Sequence, residues 1–282
     1  LIVCERAGVL SLGAEGLMLV GALAGIGAQI AFGQPGVSLI LAMLAASAVS
    51  VLFAVMTILL RVNQVIAGLA LVFFCQGLTS LAGTLFGWTN VAVSSVDAIA
   101  LWPLSALPLV GRLFNQNIVV YLTLPIFLAV VWFLTRTTAG LRLRAVGENP
   151  AMVEAAGMSV QGLRYQALLM NGVLCGLAGS YLTLAQNASF SRDMTAGKGF
   201  IALAAMIFGK WRPLPALLAC LLFGFLDAGS SRLQGVTVFG GVQIPVQIFQ
   251  ALPYVLTVVL LAGFIGKAIP PKAIGRPYVK ER

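Results

Sequence analysis

Eight carboxylates, 17 Lys and Arg, four Cys and no His make up the strongly ionisable and metal-binding side chains of this 282-residue chain. Without His, neither a His-based catalytic triad nor a His-ligated zinc site can be built. Cys4, Cys75, Cys175 and Cys220 lie scattered through apolar stretches with no CxxC spacing. That pattern predicts small buried hydrophobes rather than disulfides or metal ligands. No apolar run carries two carboxylates at helical spacing; Glu148 and Glu154 neighbour each other only within a polar stretch. Three short sequences hint at a phosphate loop: AGKG (196–199), FGKW (208–211) and IGKA (265–268). Each lacks the earlier Gly, separated by four intervening residues, and the Ser or Thr after Lys that a nucleotide loop requires. Catalysis and direct ATP binding are therefore not expected of this chain.

The elements that must position these residues are apolar. Hydrophobic residues make up 60% of the chain and charged ones 9%, with a mean hydropathy of +1.02. Soluble domains carry about 25% charged residues, so the bilayer is the expected solvent. No charge occurs in residues 16–60, 62–96, 165–191 or 233–266. A helix needs about 20 apolar residues to cross the hydrocarbon core. The expected fold is all-α, a polytopic transmembrane helical bundle in a single domain over 1–282. Its spans are Val9–Ala31, Val37–Leu60, Val65–Leu85, Ile118–Leu134, Tyr165–Gln186, Gly199–Gly209, Pro213–Leu233 and Phe249–Gly266. The chain starts at Leu1 with an apolar LIVC, which predicts a further span upstream and a total of eight to nine. Gly199–Gly209 is short, and the expectation is that it still crosses, with Lys198, Lys210 and Trp211 reaching the interfaces.

Orientation follows from the basic residues. Arg6, Arg61, the 135–164 loop, the 210–212 turn and the 267–282 tail share one side. That side collects 13 of the 17 Lys and Arg and is expected to be cytoplasmic; Arg112, Arg192, Lys198 and Arg232 stay on the other. The net charge of +9 then reflects cytoplasmic loops and anionic lipid headgroups rather than nucleic acid. The opposite side holds a long loop, 86–117, with Trp88, Trp102, Pro103 and Pro108. Its ALWPLSALPLVGRLF stretch suits an interfacial helix, acting as a lid or as a docking face.

Polar residues inside apolar spans are the candidates for a translocation pathway. Glu15 is flanked by Gly13 and Gly16, which predicts a broken helix of the kind that lines transport sites. Asn63, Gln64, Gln76, Asn171 and Gln186 can face a central pathway or bond neighbouring helices. Asp227 precedes Arg232 by five residues, which favours a structural contact. GALAG (21–25), GTLFG (83–87) and GVLCG (172–176) predict close helix approach.

The best-punctuated polar stretch is GENPAMVEAAG, residues 147–157. Asn149 is a good N-cap, Pro150 suits the first helical position and Gly157 the position after the last. A two-turn helix over Pro150–Ala156 is predicted, with Met152, Ala155 and Ala156 on one face and Arg142, Arg144 and Arg164 around it. A short rigid helix with a small apolar face is a knob suited to another protein's groove; a surface loop with one helical turn is the plainer alternative.

Three blocks then resemble a known family. RAVGENPAMVEAAGM is similar to the cytoplasmic coupling-helix segment of bacterial ABC importer permeases of the ribose, branched-chain amino acid and nucleoside group. ERAGVLSLGAEGLMLVGAL resembles the start of the nucleoside and simple-sugar branch, with Ser11 where Asn is common and Leu17 where Met is common. GKGFIALAAMIFGKWRPLPALLACLLFG (197–224) fits a third block. The resemblance implies a helical permease of eight to ten spans in a bacterial inner membrane, with its C-terminus cytoplasmic. It implies a second homologous permease subunit and a periplasmic or lipid-anchored binding protein. It also implies a cytoplasmic ABC ATPase that holds ATP and Mg and docks on Gly147, Glu148, Asn149, Pro150, Met152, Glu154, Ala155, Ala156 and Gly157. The cargo implied is a nucleoside or simple sugar, with branched-chain amino acids as the alternative. An ATP-independent transporter or channel, or a membrane-embedded enzyme, is the competing class. Charge concentrated in loops and the missing catalytic pairs speak against both.

Overall fold

The computed structural model describes residues 1–100, 115–233, 237–238, 242–243, 255 and 269–279. The chain divides into two compact units, Val3–Gly199 with the tail from Pro271, and Phe200–Pro270.

The larger unit begins with a short helix, α1 (Ile2–Arg6), and an irregular stretch, then α2 (Ala14–Phe32). Next come α3 (Pro35–Ala54), prolonged by a π-helical turn (Val55–Leu59), and α4 (Gln64–Leu85). Two three-residue strands, β1 (Ala98–Ala100) and β2 (Asn115–Asn117), pair antiparallel. After them run α5 (Ile118–Arg136), α6 (Thr138–Glu148), α7 (Pro150–Ala155) and α8 (Val160–Tyr181, prolonged by a π-helical turn, Leu182–Gln186). α9 (Lys198–Phe208) starts in this unit. The smaller unit holds the rest of α9, α10 (Pro213–Leu233) and a two-residue pair, β3 (Thr237–Val238) with β4 (Val242–Gln243).

Five helices among the described residues are long and apolar enough to cross a membrane: Ala14–Phe32, Pro35–Leu59, Gln64–Leu85, Ile118–Arg136 and Val160–Gln186. They match the first five expected spans apart from their ends. The expected Pro213–Leu233 helix is α10, while Phe249–Gly266 lies outside the described residues, as does most of the interfacial helix expected near 100–114. Cys4, Cys75 and Cys175 are buried as expected, but Cys220 is exposed on α10; an apolar helix facing lipid does not need to bury its small residues.

The centre of the larger unit is the crossing of α2, α3 and α8, and glycines make it possible. A Cβ on Gly21 would stand 2.7 Å from the Cα of Gly176, and one on Gly172 would stand 2.7 Å from the Cα of Ser47. The GALAG and GVLCG motifs therefore sit at backbone-to-backbone contacts. GTLFG divides: Gly83 abuts the Phe190 ring, whereas Gly87 has open space around it.

The break expected near Glu15 is present, and a second one faces it. Residues 7–13 are irregular before α2 starts at Ala14. Across the bundle, α9 is preceded by an irregular stretch with positive φ at Asp193, Ala196 and Gly197. That stretch descends from Phe190, packed against Gly83 near the end of α4, to Gly197 beside Glu15. Gly16 meets Cys75, and Ser11 bonds Asn171, so Glu15 lies level with the middle of α4 and α8. The chain thus covers half of a crossing before α9 begins. α9, expected as the Gly199–Gly209 span, is an 11-residue helix, roughly 17 Å long, and Lys198 at its start lies beside Glu15.

Irregular backbone at such depth must have its polar groups satisfied inside the protein. Glu15 does this, 3% exposed: its carboxylate oxygens accept the N–H groups of Gly197 at 2.8 Å and Gly199 at 2.5 Å. A carboxylate at a helix N-terminus also complements the positive end of the helix dipole. Glu15→Ala is therefore expected to strand one buried and one half-buried donor and destabilise the fold by about 3 kcal/mol. Glu15→Gln, which keeps one acceptor, should cost roughly half of that. Thermal unfolding of the detergent-purified protein checks both; equal midpoints for wild type and Glu15→Ala would refute the capping role.

Candidate functional site

Two regions carry functional geometry. The first is the polar segment between α5 and α8. The expected loop over 135–164 is mostly helical instead. Thr137 ends α5 and caps α6, its hydroxyl accepting the Gly140 N–H at 3.0 Å while donating to the Phe133 carbonyl at 2.6 Å. α8 begins at Val160, capped by Ser159 through the Gly162 N–H, so Arg164 belongs to a helix and not to a loop. Thr137 and Ser159 were readable as N-caps, but the charges around them favoured a loop.

α7 forms where the caps predict it. The Asn149 side-chain oxygen accepts the Met152 N–H at 3.2 Å, Pro150 takes the first helical position, and Gly157 adopts φ +80°. Of its six residues only Val153 is buried, clustering with Val146 and Val160. Met152 is 69% exposed, and Ala155 and Ala156 are exposed with it. α7 is thus an apolar knob standing on a valine foot. Gly147 is buried at its base, with room for no side chain because the Arg6 carbonyl lies against its Cα. Glu148 is exposed beside it, and the Glu154 carboxylate accepts a hydrogen bond from the Tyr278 hydroxyl.

The second region is a cavity of about 500 Å³ between the first half of α5 and the second half of α8. Met18, Leu174 and Leu177 give it apolar walls, and Thr123, Tyr181, Gln186 and Lys198 add polar groups. Large apolar cavities with a few convergent polar groups are where small molecules bind.

The candidate pathway residues are distributed otherwise. Glu15 caps α9. Gln64 is buried and accepts the Leu10 N–H at 2.7 Å; Asn171 is buried and donates to Ser11 at 2.8 Å. These three come together as the stitching of the irregular 7–13 and 188–197 stretches. Asn63 is exposed and caps α4 through Val65 at 2.9 Å, and Gln76 is half-buried on α4. None of the five is among the cavity-lining residues, whereas Gln186 is. Lys198 was missed as a lining residue because only the descent of residues 190–197 carries it inward. Asp227 is exposed on α10.

Long apolar helices, discontinuous segments stitched at mid-depth, an intramembrane cavity and an exposed knob outside the spans define a multi-pass helical permease. Residues 1–261 match the family described as branched-chain amino acid transport system / permease component, and the chain belongs to that family. That family is one of transport components. The chain is 36% identical to the nucleoside ABC transporter permease protein NupC of Lactococcus lactis subsp. cremoris (strain MG1363), over 99% of this chain and 90% of that one. It is 35% identical to the guanosine ABC transporter permease protein NupQ of Bacillus subtilis (strain 168), over 98% and 89%. Identity is also 35% to the putative glucose ABC transporter permease protein TsgC13 of Haloferax volcanii, over 93% and 84%. No solved structure matches the chain.

Proposed function

We propose that this chain is the transmembrane subunit of an ABC importer whose cargo is a nucleoside. The observation that carries the reading is near-full-length similarity to two permeases named for nucleosides, NupC at 36% and NupQ at 35% identity. The cavity supports it. A flat heteroaromatic base can lie against Leu174 and Leu177, while Thr123, Tyr181, Gln186 and Lys198 offer hydrogen bonds to its polar edge and to the sugar. A hexose would profit less from the apolar walls.

In this reading the chain is one permease domain that pairs with a second, homologous permease. It sits multi-pass in a bacterial inner membrane, with the 135–164 segment and the tail in the cytoplasm. The partition of 13 of 17 basic residues supports that orientation. A cytoplasmic ABC ATPase, which holds ATP and Mg, docks on Gly147–Gly157, and the exposed Met152, Ala155 and Ala156 face enters its groove. A periplasmic or lipid-anchored protein delivers the cargo on the other side.

The test is ATP-dependent uptake into proteoliposomes holding the assembled transporter, with labelled purine and pyrimidine nucleosides, glucose and leucine offered separately. Saturable nucleoside uptake, at least about ten-fold above the other two, is expected. Uptake of glucose or leucine without nucleosides would overturn the assignment.

A further inference from the structure

We propose that the tail from Pro271 to Tyr278 is a clasp that fixes α7 to the start of α8, so that movement imposed on α7 reaches the spans. The proposal rests on the ATPase-docking reading of α7 and adds to it a residue set far away in the chain.

α7 is attached weakly by its own chain. It has six residues, one of them buried, and is joined to α8 through Ala156, Gly157, Met158 and Ser159. A lever so mounted would swing about Gly157, whose positive φ marks a turn, and would transmit little. The tail removes that freedom at three points on three helices. The Ala273 N–H donates to the Gly147 carbonyl at the end of α6, at 2.9 Å. Arg164, in the first turns of α8, donates from Nη1 to the Arg276 carbonyl at 3.1 Å. The Tyr278 hydroxyl donates to the Glu154 carboxylate on α7, and its ring packs on the Val146, Val153 and Val160 cluster.

The anchors are built in rather than laid on the surface. Pro271 and Ala273 are buried, and Arg164 is 2% exposed. A Cβ on Gly8 would stand 3.2 Å from both the Ala273 carbonyl oxygen and Arg164 Nη2, so the tail lies against the irregular stretch that leads into α2. A buried guanidinium bonded to a tail carbonyl is costly to arrange and holds the tail where a surface segment would drift. One end of the clasp therefore grips α7, and the other grips α8 and the chain leading to α2, two helices of the central crossing. Tyr278 is a positioning residue: it touches neither cargo nor nucleotide and acts through Glu154.

The experiment measures uptake per ATP hydrolysed, basal ATPase activity and subunit assembly in the reconstituted transporter. Tyr278→Phe keeps the ring in the valine cluster and removes only the hydroxyl. It is expected to lower uptake per ATP about five-fold, the factor one hydrogen bond of ordinary net strength is worth, with basal ATPase and assembly unchanged. In a Glu154→Ala background, whatever its own effect on docking, Tyr278→Phe should cause no further loss of uptake per ATP. A wild-type ratio in Tyr278→Phe, or a loss that follows poorer assembly, would overturn the clasp. Met152→Glu separates the two readings: if it uncouples while Tyr278→Phe does not, docking stands and the clasp falls. If neither uncouples, the docking reading itself falls.

Discussion

In a transporter carrying Met152→Glu, ATP-driven uptake falls at least about 30-fold while the chain still inserts and folds. The expected loss corresponds to about 2 kcal/mol, the scale of an interface hot spot. Met152 is 69% exposed and makes no buried contact that folding depends on. It is also the third helical residue after the Asn149 cap. Glu at that position, three residues after an N-cap, is favourable, because its side chain can reach back to the cap. The substitution thus suits the isolated helix and harms only a groove that expects an apolar side chain, where a carboxylate would be desolvated without a partner. Co-purification of the ATPase with the variant, set beside circular dichroism of the chain alone, separates lost docking from lost structure. Wild-type uptake with Met152→Glu would refute docking through this face.

Gly176→Val prevents the bundle from assembling at all. A Cβ there would stand 2.6 Å from the Ala42 carbonyl oxygen, 2.8 Å from the Met43 Cα and 2.9 Å from the Ala46 Cβ. The first two are backbone atoms of α3 and cannot rotate aside, so α3 and α8 must separate. Overpacking a well-packed core costs 1–3 kcal/mol or more, and here the pair also carries Gly21 of α2 on its other side. The expected loss is at least about 3 kcal/mol, seen as aggregation on size-exclusion chromatography in mild detergent. Gly77→Ala on α4 is the control. A Cβ there meets nothing within 4 Å, so the change should be neutral or stabilise by about 0.5 kcal/mol.

What was legible in the sequence was local. The five long spans follow from uncharged runs, and α7 follows from an Asn-Pro start and a Gly end, because caps act within one helical turn. The glycine motifs were legible as contacts without their partners. What could not be read was whatever joins distant segments. Glu15 was picked out as an intramembrane carboxylate beside a helix break, but its partners Gly197 and Gly199 lie 182 and 184 residues away. Gln64 and Asn171 looked like pathway residues for the same reason that they are stitches: both roles call for a polar side chain in an apolar helix. The cavity was invisible because its walls, Met18, Leu174 and Leu177 among them, are ordinary lipid-soluble residues until the helices are set side by side. Tyr278 gave no signal in a tail read only for its charge.

The carboxylate of Glu15 also has a bearing on how the chain is made. A helix of 11 residues falls well short of the roughly 20 that a translocon partitions into lipid unaided. Within residues 188–208 the only helix is these 11 residues. α2 has been synthesised before them, and its first turn offers two acceptor oxygens at the depth where Gly197 and Gly199 must come to rest. The order of synthesis thus places the receptor for this segment ahead of the segment itself. Glu15 is thus already in the chain to accept these two N–H groups as soon as the segment emerges.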